Sequence, residues 1–162
     1  MHPTAEQPGS PPPRRVLVVG IGNILLRDEG VGVRVIEAMR DIPLPDDVEL
    51  LDGGTSGADL IDFIADRPKV IFIDAVRTDG PPGSVYRFSP EDLMQDAAPA
   101  LSLHQLGLLE TLRMARHMNC SPREVVIFGV KPGAIDYGTD LTPQVASAVP
   151  KVVQLVLTEA GR

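Results

Sequence analysis

The stretch of sequence that decides the fold is Val16-Leu-Val-Val-Gly-Ile-Gly-Asn-Ile-Leu-Leu-Arg-Asp-Glu-Gly-Val-Gly-Val-Arg34. Residues 15–21 form an almost continuous apolar run, which is typical of a strand buried on both faces of a parallel sheet. A glycine-containing turn follows, and two acids, Asp28 and Glu29, come just before helical spacing begins at Gly30. Because the ligands of open α/β sheets bind at the carboxyl ends of the strands, this stretch points to a site at that edge.

The rest of the chain alternates between strand and helix patterns. Further strands are predicted at 48–51, 70–75, 84–88 and 125–130, and helices at 30–40, 58–65, from 103 onward and from 143 onward. This alternation predicts an α/β fold of three layers, with a mostly parallel five-stranded sheet between helices on both faces. Segment 84–88 follows its preceding strand by a short turn, so we expect it to form one antiparallel edge strand.

Two parts of the chain differ in composition. Residues 1–13 are polar and rich in Pro and Gly, and they are predicted to be a disordered N-terminal segment. Residues 14–162 are predicted to be a single α/β domain, long enough to bury a core.

Local signals mark several helix ends. Asp28 is a candidate N-cap for the first helix, Ser102 and Gln105 resemble a capping box, and Thr142 precedes a proline as the cap of the last helix. That last helix is expected to bend or break near Pro150, because proline lacks the backbone N–H that a helix interior needs.

Composition excludes several classes of function. The formal net charge of −7 argues against a nucleic-acid surface, which is basic. The single cysteine, Cys120, excludes an internal disulfide framework and a Cys-rich zinc site, and it suits a reducing cytoplasm. No apolar run approaches the roughly 18 residues that span a bilayer, so no membrane segment is expected.

A dinucleotide fingerprint is the tempting alternative for the first turn. Gly20 and Gly22 follow a strand, and Asp52 ends the second strand, where a ribose-binding acid is found in such folds. The third glycine of the fingerprint is missing, however, since position 25 is Leu. Nucleotide binding is therefore disfavoured, and a purely structural module would leave the acids at the edge unexplained.

Three side chains are candidates for a metal site: Glu29, Asp74 and His104. Asp74 ends an apolar strand, where a buried acid is costly unless it is paired or ligated; the alternative is a carboxylate satisfied by loop N–H groups. Glu29 is either a ligand or an acid favoured by the positive end of a helix. His104 lies in the first turn of a helix, which keeps its ring neutral and able to bind metal, although a half-buried structural histidine also fits.

These residues lie in segments that resemble the [NiFe]-hydrogenase maturation endopeptidases. The resemblance is carried, in order along the chain, by residues 20–34, 51–57, 73–75, 104–107 and 129–132. It covers the part of the chain from about residue 15 to 160, while the Pro-rich N-terminus is outside the family pattern. Lys131 lies in one of the matching segments without an assignable role.

The resemblance implies a cytoplasmic and usually monomeric protease. Such proteases remove a short C-terminal extension from the hydrogenase large-subunit precursor after nickel insertion. By position, Glu29, Asp74 and His104 match the nickel-contacting residues proposed for the family, and Asp52, Gly53, Gly54 and Thr55 match a loop used in substrate handling.

This set of two acids and one histidine leaves metal coordination positions open. We expect the nickel to arrive bound to the precursor, so that Glu29, Asp74 and His104 complete its shell and act as the catalytic centre of a metal-dependent, aspartic- or metallo-type endopeptidase. The zinc-protease motif His-Glu-x-x-His and a Ser-His-Asp order are both absent from the sequence. The competing hypothesis is a non-catalytic binder that recognises the same nickel-loaded precursor without cutting it.

Overall fold

The computed structural model describes residues 14–55, 58–94 and 103–162, apart from the side chains of Ala58, Leu103 and His104. The predicted disorder of residues 1–13 and the cap role of Ser102 lie outside this described part of the chain. The assignment of residues 14–162 to one domain stays a prediction.

Five strands and four α-helices make up the described fold. The strands are β1 (Val16–Ile21), β2 (Val48–Gly54), β3 (Lys69–Ala75), β4 (Val85–Phe88) and β5 (Glu124–Val130). The helices are α1 (Val31–Arg40), α2 (Ile61–Ile64), α3 (Leu103–His117) and α4 (Pro143–Ala160). Short 3-10 turns at Arg27–Gly30 and Ala58–Leu60 lead directly into α1 and α2, and a third lies at Asp92–Met94.

The sheet has the strand order β2-β1-β3-β5-β4. The first four of these strands are parallel, and β4 runs antiparallel along the outer side of β5. This confirms the predicted mostly parallel sheet with one antiparallel edge strand. The carboxyl ends of β1, β2, β3 and β5 consequently lie along one edge, which we call the rim.

Helices cover both faces of the sheet, as predicted. On one face, α1 and α4 pack against alternate residues of β1, β3 and β5. On the other face, α2, α3 and the 3-10 turn before α2 pack against the intervening residues of the same strands. Both cores are aliphatic apart from a few phenylalanines, and β1 and β3 are buried on both faces, which explains their continuous apolar sequences.

The last helix, α4, differs from the sequence predictions at its cap residue, Thr142, and at Pro150. Thr142 occupies the N-cap position of α4, but its side chain does not cap the helix; its hydroxyl donates to a carboxylate of the rim instead. The helix does not break at Pro150. Ala146, whose carbonyl loses its usual partner there, and Pro150 are both exposed, so water can satisfy that oxygen.

A buried ion cluster fastens α4 to the sheet at the edge opposite the rim. Lys69, the first residue of β3, donates from Nζ to Glu159 Oε2 at 2.8 Å and to the Glu159 carbonyl oxygen at 2.7 Å. Arg87 donates to the other carboxylate oxygen at 2.8 Å. Lys69 and Glu159 are both buried, so each charge is compensated within the cluster.

Within the described ranges, none of the helices combines the length and apolar character needed to cross a bilayer.

Candidate functional site

Two glycines bring the first helical turns close to the sheet. Gly22 has a φ of +141°, and a Cβ there would collide with the carbonyl oxygen of Glu29. Gly32, in the first turn of α1, would collide in the same way with the carbonyl oxygen of Ile73 in β3. These glycines are therefore needed for close backbone packing, which sets the Glu29 turn against the rim beside the end of β3.

Asp28 is a buried carboxylate that ties two rim loops together. Its Oδ2 accepts hydrogen bonds from the backbone N–H groups of Gly133 and Ala134, at 2.8 and 2.9 Å, and from the Thr142 hydroxyl at 2.7 Å. Its Oδ1 accepts one from the Thr142 N–H at 2.8 Å. The predicted N-cap role of Asp28 is therefore wrong: Gly30 occupies the N-cap position of α1, and the carboxylate binds the loop between β5 and α4.

These hydrogen bonds keep Asp28 ionised. Burial alone acts to raise its pKa, but the bonds from Ala134, Thr142 and Gly133 outweigh that effect and hold the pKa below its usual value. The carboxylate thus acts as a fixed anchor for the loop, and the adjacent Glu29 is held in the turn that this anchor orders.

Asp74 lies at the rim end of β3 and is almost fully buried, with 2% of its surface exposed. Burial raises the pKa of its carboxyl well above the ordinary value. The hydrogen bond from the Ala75 N–H to Oδ1, at 2.8 Å, acts in the opposite direction, and the negative charge of Glu29 raises the pKa further. A carboxylate satisfied by loop N–H groups was the alternative to a metal ligand, and one such hydrogen bond is present. It does not offset the increase in the pKa that burial causes.

Gln105 is a rim residue that was not predicted from the sequence as part of the site. It is buried in the first turns of α3, and its Nε2 donates to the Ala75 carbonyl oxygen at 2.8 Å while lying 3.5 Å from Asp74 Oδ2. This contact acts to lower the pKa of Asp74. Its signals in the sequence were its position next to His104 and its place in the resembling segment 104–107, but the capping-box pattern suggested a local role.

The three predicted metal ligands are brought together to different degrees. Glu29 is half-buried and close enough to Asp74 to act on its charge. His104 lies in the first turn of α3, directly before Gln105, but its side chain is outside the described part of the structure. Among the side chains that are described, no three acidic, histidine or cysteine residues form a metal-binding group. The assignment of Glu29, Asp74 and His104 stays a prediction.

The predicted substrate loop forms one wall of an open cavity at the rim. Asp52 is exposed, and its Oδ1 accepts a hydrogen bond from the Gly54 N–H at 2.9 Å in a tight turn where Gly54 has a φ of +52°. The cavity has a volume of about 370 Å³. It is lined by Asp52, Gly54 and Thr55 on one side and by Gly22, Asn23, Ile24, Leu25 and Val33 on the other. Gly53 is buried against β1 instead, so its role is to let β2 pack closely there.

Comparison with known proteins identifies the class to which this fold and rim belong. The family described as hydrogenase maturation protease matches residues 33–159. The hydrogenase 2 maturation protease of Escherichia coli (strain K12) is 38% identical over 145 residues, which cover 88% of each chain. The hydrogenase expression/formation protein HupD of Rhizobium leguminosarum bv. viciae is 37% identical over 149 residues, covering 90% of this chain and 74% of that protein.

Solved structures agree with this assignment. The hydrogenase maturating endopeptidase HybD from E. coli aligns with a TM-score of 0.81 at 36% identity, covering 90% of this chain and 91% of its own. The chain belongs to the hydrogenase maturation protease family. The resemblance seen in the sequence is thereby confirmed, and the nucleotide-binding alternative is not supported.

Proposed function

We propose that this protein is a metal-dependent endopeptidase that removes a C-terminal extension from the nickel-loaded large-subunit precursor of a [NiFe] hydrogenase. Membership of the hydrogenase maturation proteases supports the peptidase activity and the hydrogenase substrate. The nickel requirement rests on the chemistry of the rim, and the nickel is part of the substrate.

The observation that carries the proposal is the burial of Asp74 beside a second acid. An isolated buried carboxylate is unfavourable in its charged form, and the charge of Glu29 increases the penalty. A divalent cation placed between the two acids would reverse both effects, because it stabilises the ionised form of each. Carboxylate and imidazole ligands suit nickel or zinc, and three ligands leave positions open for groups of the substrate.

Each group of residues has a separate task in this proposal. Glu29, Asp74 and His104 contact the nickel that the precursor brings, so the protease engages only a loaded precursor. The metal supplies Lewis acidity at the scissile carbonyl or at a water molecule. The loop Asp52–Thr55, which walls the rim cavity, holds the polypeptide next to the cleaved bond. We further propose that the protein works as a monomer in the cytoplasm, which suits its single cysteine.

A non-catalytic binder of the same precursor is the competing hypothesis. It uses the same rim residues and predicts the same dependence of binding on nickel. It is not favoured, because the family and the similar solved structures are described as proteases and endopeptidases. Loss of mass from the precursor separates the two hypotheses.

The test is to incubate the nickel-loaded precursor with the protein and to measure the intact mass of the precursor over time. We expect the loss of one C-terminal segment, and we expect Glu29→Gln to slow that loss by about 100-fold or more, since a charged metal contact is removed. Glu110→Gln is the matched control, because this acid is exposed on the surface of α3. Normal processing by Glu29→Gln would remove Glu29 from the mechanism.

A further inference from the structure

Two strongly exposed apolar side chains lie on adjacent rim loops. Leu25 is 57% exposed and Tyr137 is 89% exposed. Leu25 belongs to the turn after β1, at the position where the dinucleotide fingerprint would have its third glycine. Tyr137 belongs to the loop between β5 and α4. Single exposed apolar residues are common on protein surfaces, so the arrangement of these two must be considered together.

The backbones of the two loops are paired at this point. The N–H of Gly138 donates to the carbonyl oxygen of Leu25 at 2.9 Å, and the N–H of Arg27 donates to the carbonyl oxygen of Gly138 at 3.0 Å. Leu26 and Gly138 form a parallel bridge. Leu25 and Tyr137 immediately precede the two bridged residues, so they occupy neighbouring positions on the two paired loops.

The loop that carries Tyr137 is held in place by Asp28, whose buried carboxylate accepts hydrogen bonds from Gly133, Ala134 and Thr142. Leu25 and Tyr137 are therefore exposed from an ordered backbone. An apolar surface that is already ordered loses less conformational entropy when a partner covers it. This distinguishes the two side chains from apolar residues that are exposed on an unconstrained loop.

The apolar surface continues into the rim cavity. Leu25 and the exposed Ile24 form part of the cavity wall, opposite Asp52 and Thr55. Leu25 therefore belongs both to the paired loops that carry Tyr137 and to the wall of the cavity proposed to hold the substrate. We name Ile24, Leu25 and Tyr137 the rim patch.

We propose that the rim patch binds the polypeptide of the hydrogenase precursor next to the scissile bond, by receiving an apolar side chain of that segment. The inference rests on the proposed function, since it takes the precursor as the occupant. The proposal is based on the continuity of the rim patch with the cavity. A precursor segment that lies along Asp52–Thr55 passes over Leu25 where it leaves the cavity. The patch touches an apolar side chain and not the reacting atoms, so the contact forms equally in the ground state and the transition state and contributes to KM and not to kcat.

The experiment uses the double variant Leu25→Ser and Tyr137→Ser in the full chain. Met118→Ser is the matched control, because Met118 is 61% exposed just beyond the far end of α3. The affinity for the uncut nickel-loaded precursor is measured in a Glu29→Gln background, and cleavage rates are measured with Glu29 intact. We expect the double variant to weaken binding and to raise KM by about tenfold or more, with kcat within about twofold of the unsubstituted protein.

Binding and cleavage separate the two proposals. If the double variant binds the precursor as tightly as the unsubstituted protein, the proposed role of the rim patch is wrong, whether or not the precursor is cut. If binding depends on the patch but no cleavage occurs, the patch is supported and the proposed peptidase activity is wrong. Sedimentation of the free protein tests a second copy of this chain as the occupant, and a dimer that the double variant dissociates would overturn the proposal. Both substituted side chains are exposed, so thermal unfolding should be nearly unchanged and serves as the folding control.

Discussion

Asp28 and Glu29 are neighbouring acids in one 3-10 turn, yet they have different surroundings. Asp28 is fully buried and accepts four hydrogen bonds from a loop more than 100 residues later in the chain. Glu29 is half-buried, and its negative charge raises the pKa of Asp74. The sequence identified Glu29 and Asp74 as candidates because Glu29 follows a buried strand and Asp74 lies at the end of one. It misassigned Asp28, since no local pattern reports a partner so distant in sequence.

The anchor role of Asp28 predicts the effect of Asp28→Asn. The amide NH₂ must replace one carboxylate oxygen and will face an N–H donor of Gly133, Ala134 or Thr142. We expect a loss of about 1–3 kcal/mol in the free energy of unfolding, measured by urea denaturation at neutral pH. Asp136→Asn, in an exposed acid of the same loop, is the control and should stay within about 0.5 kcal/mol. Equal stability of the two variants would contradict the anchor.

Gln105 gives a second prediction at the scale of one residue. Gln105→Met keeps the length of the side chain but removes the donor to the Ala75 carbonyl oxygen and the contact with Asp74. We expect a loss of about 1–2 kcal/mol in unfolding free energy and slower cleavage of the precursor. Gln154→Met, on the exposed face of α4, is the control. Cleavage by Gln105→Met at the normal rate would show that this contact does not support the site.

At the scale of elements, sequence periodicity predicted the strands and helices well, because β1 and β3 are buried on both faces and α1 and α4 each bury one side. The antiparallel edge strand β4 followed from the short turn before it. The sequence predicted a bend or a break of α4 near Pro150, and that the helix does not break there depends on the exposure of Ala146 and Pro150. The ion cluster of Lys69, Arg87 and Glu159 also left no local signal in the sequence, because it joins the ends of separate elements.

That cluster makes the attachment of α4 to the sheet dependent on pH. The hydrogen bond from Arg87 is the largest effect that lowers the pKa of Glu159; burial opposes it, and Lys69 lowers the pKa further, to about 2 from an ordinary value of 4.5. Because the pKa of Glu159 is lower in the folded state, its ionised carboxylate stabilises the fold above pH 4.5. This contribution is lost as the pH falls from 4.5 towards 2. The shift corresponds to roughly 3 kcal/mol.

Glu159→Gln should reveal this contribution. At pH 7 the variant removes the carboxylate at 2.8 Å from the buried Lys69 Nζ and leaves only the more distant, exposed Glu124 at 3.6 Å, so we expect it to be several kcal/mol less stable than the unsubstituted protein. The difference in unfolding free energy between the two proteins should narrow between pH 4.5 and 2, because Glu159 of the unsubstituted protein takes up a proton in that range. Urea denaturation at a series of pH values is the measurement. A difference that is constant over that range would contradict the assigned pKa direction.

At the scale of the whole molecule, the parallel sheet explains why one rim carries the chemistry. Four strands end at the same edge, and their ends supply Asp74, the Asp52 loop, the turn with Glu29 and the loop that Asp28 anchors. The rule for parallel sheets was enough to predict this edge from the sequence. The pairing of the two rim loops and the contact from Gln105 could not be predicted, because both depend on packing between segments distant in sequence.

The acidic character of the rim leads to the central claim that nickel in the precursor controls cleavage. The most direct test is the intact mass of the cognate large-subunit precursor, prepared with and without nickel, before and after incubation with this protein. We expect the nickel-loaded precursor alone to lose a short C-terminal segment. Equal shortening of the nickel-free precursor would contradict the nickel requirement, and no shortening of either form would contradict the peptidase activity itself.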